Sequence, residues 1–267
     1  PASVTEMGDR PFSGDWALKT VEIKGNVPRL SNYSFHECDA LQEVLITGGV
    51  ETIEERAFYK LKSLERVQIA GGLKTIGKRA FWLCDNLTTV SLPDGVTSIG
   101  EEAFKECSSL TTINLPNSIT TIGANAFNGT KLTGPLNIPD SLVSLGDGAF
   151  HGCGGITGTL VFPGTLEYIS TDVFAGSSGI EEIILPRGVL TIGAGAFNNC
   201  SGVQRLWLTN SIQSIGVNAF NGMKNLKKVY FSGTISEWET GIQWADKGYQ
   251  MGVAITTNEE MASGSCG

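Results

Sequence analysis

Nine of the twelve phenylalanines recur at a near-constant interval: Phe35, Phe58, Phe81, Phe104, Phe127, Phe150, Phe174, Phe197 and Phe220, with seven steps of 23 residues and one of 24. A fixed period of this size is the mark of a repeat architecture. A 23-residue unit cannot bury an apolar face by itself, so neighbouring units must stack and share one continuous core. Function then belongs on a face of the stack, not in a central cavity.

The unit Leu87–Ser109 shows how each part of the repeat works. Leu87–Leu92 alternates as a short strand, with Val90 and Leu92 inward and Thr89 and Ser91 outward. Pro93 and Gly95 turn the chain, Val96–Ile99 supplies a second extended piece, and Gly100 permits another bend. Glu101–Cys107 reads as a helical turn with Ala103, Phe104 and Cys107 inward. The inward columns persist: five residues before each phenylalanine stand residues such as Leu30, Ile53, Ile76 and Ile99, and the residue directly before it is small in all cases but Val173. Proline spacing places the one extra residue in the loop 152–160.

The turn pattern, seen in TSIGEEAFKECSSLTTINLP and LTIGAGAFNNCSGVQRLWL, resembles the leucine-rich repeats of the BspA-like bacterial surface antigens, over about four-fifths of the chain. The tail VYFSGTISEWETGIQW is similar to the segment that closes arrays in that family. The resemblance implies a right-handed leucine-rich-repeat superhelix of about ten coils, each a short strand plus a turn or short helix, β-rich α/β in class. It also implies a non-enzymatic interaction module of adhesin type, secreted or displayed at the cell surface. It does not fix the ligand. Proline follows most strands here where the general leucine-rich pattern has an asparagine ladder. The expected organisation is an N-terminal flank or partial cap over 1–17, the solenoid over 18–231, and a C-terminal cap and tail over 232–267.

Composition narrows the partners. A net charge of −8 and a pI near 4.9 argue against nucleic acid and anionic membranes. No apolar run approaches the length of a membrane span. The chain begins at Pro1 without an initiator Met, a basic n-region or an apolar h-region, so the expectation is that a targeting segment was removed or the sequence trimmed.

Chemistry-bearing residues are scattered. Cys38, Cys84, Cys107, Cys153 and Cys200 share one column with Leu61, Thr130, Ser177 and Met223, so they read as buried free thiols. No metal-ligand spacing and no cofactor motif occurs. His36 and His151 stand five units apart, too far to act as a pair. No convergent acid and base groups mark a catalytic site. Asn32, Asn86, Asn128 and Asn199 head N-x-S/T sequons.

The outward strand positions form two ladders whose last rungs carry the candidate site. One ends Thr159, Glu182, Arg205, Lys228, and the other Val161, Ile184, Trp207, Tyr230. An apolar stripe on a face that should be solvated, flanked by Arg205 and Lys228, marks an interaction surface. The candidate ligands are a protein or glycoprotein, or a glycan stacked on Trp207 and Tyr230; a homodimer or a passive spacer are further readings. The alternative is that the tail, with Trp238 and Trp244, folds back over the stripe. A secondary patch lies on the turn side, where Tyr59 and Trp82 stand between His36 and Lys105 in consecutive units. Its bland reading is partial burial against the neighbouring turn. Phe12 and Trp16 are expected to cover the first coil.

Overall fold

The structure, a computed structural model, describes residues 4–245 and 255–257. The chain forms β-solenoid coils, about ten in succession at 23-residue spacing, and divides into two compact units, Pro1–Leu132 and Thr133–Gly267.

In the first unit the main sheet runs Thr20–Ile23, Glu43–Ile46, Arg66–Ile69, Thr89–Ser91 and Thr112–Ile113, all parallel and in chain order. Pairs such as Val44↔Val67 and Val67↔Val90 keep one repeat between partners, so an inward residue always meets its counterpart. A second sheet of two-residue strands, Arg29–Leu30, Thr52–Ile53, Thr75–Ile76, Ser98–Ile99 and Thr121–Ile122, is also parallel. The corner between sheets adds a third set of coil-to-coil bonds: Phe35 N donates to Ala57 O at 3.0 Å, Phe58 N to Ala80 O at 2.8 Å, and Phe81 N to Ala103 O at 2.8 Å.

The corner differs from the expected helical turn. Glu101–Cys107 forms consecutive tight turns, because Glu102 (φ 54°) and Glu106 (φ 58°) both lie in the left-handed region, which ends any helix. The two positions recur two residues before and two after each repeat phenylalanine, as in Tyr33, Arg56 and Arg79 on one side and Glu37, Lys60 and Leu83 on the other. Among the described residues, helix is confined to a short segment near Glu237–Gly241.

The phenylalanines form the centre of the core. In the first unit Phe12, Phe35, Phe58, Phe81, Phe104 and Phe127 stack near-parallel, with centroids 4.9 to 5.4 Å apart, an offset-stack spacing. Phe12 thus seats on the first coil as expected, and its neighbours of the tight turn bond forward as the later coils do: Phe12 N donates to Ser34 O and Gly14 N to His36 O. Trp16 does not cover the coil; it is 80% exposed. A glycine between second strand and corner lets the backbones approach: a Cβ at Gly100 would lie 2.7 Å from Gly77 C and 2.8 Å from Lys78 N.

In the second unit the main sheet is Gly158–Val161, Ile180–Ile184, Arg205–Leu208, Lys228–Phe231 and Ile255–Thr257. Its companion is Tyr168–Ile169, Thr191–Ile192, Ser214–Ile215 and Gln243–Trp244, and Thr133–Gly134 pairs separately with Gly155–Ile156. The register slips between Gly158 and Thr159, inside the loop where proline spacing puts the extra residue. Phe150, Phe174, Phe197 and Phe220 stack at 5.1 to 6.2 Å. Phe162 stands edge-on to both Phe174 and Phe197, at 5.8 Å from each.

Candidate functional site

Parallel register places the stripe. Val161 pairs with Ile184, Ile184 with Trp207, and Trp207 with Tyr230, while Glu182 pairs with Arg205 and Arg205 with Lys228. Each strand turns its alternate residues outward, so the four apolar residues lie on adjacent rungs beside the charged row. Val161 is 49% exposed; Ile184, Trp207 and Tyr230 are half-buried, and Arg205 and Lys228 are exposed. Trp207 and Tyr230 stack face to face, with centroids 3.8 Å apart and planes 13° from parallel.

One carboxylate organises this surface. Glu182 accepts hydrogen bonds from Arg205 Nε at 2.7 Å, Trp207 Nε1 at 2.8 Å and Thr159 Oγ1 at 3.0 Å. The Arg205 bond, followed by those from Trp207 and Thr159, outweighs partial desolvation and holds the carboxyl down at about 2. The indole is therefore pinned at its nitrogen and at its face. The ladder had placed Glu182 beside Arg205; the diagonal reach of the indole back to Glu182 was the missed part.

The tail does not lie over the stripe through its tryptophans. Trp238 packs edge-on against Phe231 at 5.3 Å and against Trp244 at 5.3 Å, and Phe231 points into the core. The tail instead adds the strand Ile255–Thr257, which sets Thr256 beside Tyr230. Cys266 lies outside the described residues.

The turn-side patch lies in the first unit. His36 stacks on Tyr59 at 6.1 Å, and Tyr59 tilts against Trp82 at 5.4 Å. Arginines from the left-handed corners cover the rings: Arg10 and Arg56 flank Tyr33 at 5.1 and 5.5 Å, and Arg79 lies 4.8 Å from Trp82. Tyr59 and Trp82 are half-buried, as the bland reading expects, and Trp82 Nε1 is buried without a hydrogen-bond partner. A shallow cavity of about 540 Å³ opens beside His36, Tyr59, Lys60 and Lys62. Lys105 joins the patch through a carboxylate and not through a ring: it bonds Glu102 at 2.7 Å, while Arg79, which lies over Trp82, bonds the other oxygen of the same carboxylate. Sequence reasoning missed the arginines; their common place two residues before the phenylalanine was the available signal.

The cysteine column is structural. All five described cysteines are free and buried. Cys38, Cys84, Cys107 and Cys200 each donate Sγ–H to the carbonyl of the phenylalanine one coil back, at 3.0 to 3.1 Å, and Ser177 does the same through Oγ at 3.1 Å. Burial pushes the thiols of Cys38, Cys84, Cys107 and Cys200 up, that of Cys200 to about 12. His36 lies between Tyr33 and Tyr59, and His151 is exposed. Among the described residues no group of three or more potential ligands gathers to hold a metal, and no helix is long and apolar enough to cross a membrane.

Comparison with known proteins places this geometry. Among solved structures the chain is similar to a leucine-rich repeat protein from Bacteroides ovatus, at 22% identity over 79% of this chain and 67% of that one, with a TM-score of 0.56. It is also similar to the pneumococcal vaccine antigen PcpA, at 22% identity over 95% of this chain and 74% of that one, with a TM-score of 0.57. Both likenesses concern the fold alone. No curated protein matches. Residues 5–133 and 134–242 match the BspA type leucine rich repeat region, in six copies. With that match running through both units, the chain belongs to the BspA type leucine-rich repeat family.

Proposed function

We propose that this chain is a non-enzymatic protein-interaction module, displayed at the cell surface or secreted, that holds a protein or glycoprotein partner on the outer face of the second unit's sheet. Family membership supports the location and the general role. The observation that carries the binding face is the alignment of Val161, Ile184, Trp207 and Tyr230 on adjacent strands, with the indole fixed by Glu182. A preorganised aromatic anchor loses little side-chain entropy on binding, and Trp, Tyr and Arg dominate interface hot spots. The close Trp207–Tyr230 stack turns one face of each ring to the other, which favours protein contact over sugar stacking. Glu182, ionised and triply bonded, has no spare basicity for acid–base chemistry.

The test is light scattering across a concentration series on the chain and on a Trp207→Ala, Ile184→Ala variant, followed by binding screens against host matrix proteins. A monomeric parent and a Trp207-dependent protein partner are expected. Dimers that the double substitution dissolves would make the stripe a self-association surface and overturn the reading.

A further inference from the structure

The two strands that carry Trp207 and Tyr230 are basic in an acidic chain: Arg205–Leu208 and Lys228–Phe231 hold Arg205 and Lys228 and no carboxylate, whereas Ile180–Ile184 before them holds Glu181 and Glu182. Residues 183–236 hold five of the 19 Lys and Arg, namely Arg187, Arg205, Lys224, Lys227 and Lys228, and none of the 27 Asp and Glu. A chain of net charge −8 therefore carries a 54-residue stretch, Ile183–Ser236, with no carboxylate at all.

Within the second unit this stretch supplies two of the four stripe strands and the end of a third. Arg205 is spent on Glu182. Lys227 bonds the Gln204 amide oxygen at 3.1 Å, which leaves its charge uncompensated. Among the described residues, Arg187, Lys224, Lys227 and Lys228 have no carboxylate partner, and all four are exposed. Lys228 stands two residues from Tyr230 on the same strand and face, next to the Trp207–Tyr230 stack.

We infer that the partner held on this surface is an acidic-hydrophobic protein segment, whose apolar side chains lie along Val161, Ile184, Trp207 and Tyr230 while its carboxylates meet Lys228 and the lysines at 224 and 227. The inference rests on the proposal that the stripe binds protein, and adds the chemistry of what it binds. Unpaired cations beside an apolar row give complementarity to such a segment, speed its encounter and exclude basic competitors. A sulfated or uronic polysaccharide would satisfy the lysines and leave the apolar row uncovered, so it is the less complete match.

The experiment is selection of random peptides from a display library on the intact chain, with counter-selection on Trp207→Ala, followed by titration of the synthesised winners and of heparin fragments. Winners should be rich in Asp and Glu beside aliphatic or aromatic residues. Their affinity should fall about tenfold or more in Lys228→Glu, and should weaken between about 0.05 and about 0.3 M salt. A thermal melt of Lys228→Glu matching the parent shows that the loss is not unfolding. Trp207-dependent winners with no acidic excess, or indifferent to Lys228→Glu, would overturn this inference and leave the stripe reading intact. No Trp207-dependent winner would overturn both. Heparin bound as well as the peptides, and unaffected by Trp207→Ala, would mark a polyanion site and overturn the acidic-segment assignment.

Discussion

The indole nitrogen of Trp207 donates a 2.8 Å hydrogen bond to Glu182, one coil away, on the carboxylate oxygen that also receives Arg205 Nε. The Glu182 carboxyl is held at about 2, chiefly by Arg205, against an ordinary 4.5. A depressed folded-state value stabilises the fold fully above the ordinary value, and that contribution is lost as pH falls from about 4.5 through about 2. Arg205 is half-exposed, so solvent screening reduces the effect to about 1 kcal/mol. Glu182→Gln should cost that amount near neutral pH, progressively less as pH falls from about 4.5 toward about 2, and nothing well below that, read as the denaturant midpoint of both proteins across the acid range. Parallel pH profiles for the two would contradict the account.

The thiol column should tolerate a hydroxyl better than a hydrocarbon. Cys107 donates to Phe81 O at 3.1 Å, and Ser177 fills the equivalent role naturally. Cys107→Ser should therefore cost under about 1 kcal/mol, whereas Cys107→Val removes the thiol donor, leaves Phe81 O with Cys84 N alone and crowds a fully buried site, and should cost about 1–3 kcal/mol. Thermal unfolding of the pair decides it. The same burial predicts that Cys38, Cys84, Cys107, Cys153 and Cys200 stay unlabelled by iodoacetamide in the native state and react on denaturation.

Position in the aromatic stack should set the cost of its loss. Phe104 is fully buried between Phe81 and Phe127, so Phe104→Ala should destabilise by about 3–5 kcal/mol. Phe12 is 39% exposed and is stacked on Phe35, so Phe12→Ala should cost about 1–2 kcal/mol. Equal costs in a urea titration would show that the stack is not the source of cohesion.

The glycine that precedes most corners, as at Gly77, Gly100 and Gly123, is a separate constraint. A Cβ at Gly100 would meet the Gly77–Lys78 backbone under 3 Å away, and backbone cannot swing aside as a side chain can. Gly100→Ala should destabilise by about 1–3 kcal/mol. Gly152→Ala, where a Cβ meets nothing within 4 Å but φ is +75°, should cost about 1 kcal/mol from backbone strain alone.

The sequence made the inward columns, both sheets and the ladder register legible, because strict periodicity leaves one way to align Val44, Val67 and Val90. The stripe could be placed for the same reason. Backbone conformation at the corners was not legible: Tyr33, Arg56, Arg79 and Glu102 are ordinary residues with no preference for the left-handed region, and glycine, the usual signal, stands there only in some coils. Phe12 lies 23 residues before Phe35, so its place in the stack was readable, although its flanking residues lack the repeat pattern. The strand Ile255–Thr257 carries no periodic signal, and only its pairing with Val229, Tyr230 and Phe231 defines it.

The left-handed corners have a consequence for how such a protein diversifies. Their backbone shape is set by hydrogen bonds to the next coil, such as Arg56 N to Lys78 O at 3.0 Å and Arg79 N to Glu101 O at 2.9 Å, and not by the side chain present. Tyrosine, arginine and asparagine, half-exposed at Tyr33, Arg56, Arg79 and Asn125, share one corner column with the buried Glu102, beside a core that does not change. The scaffold separates the letters that fold it from the letters that face the world, so new surfaces can be written along its rim while the phenylalanine spine stays as it is.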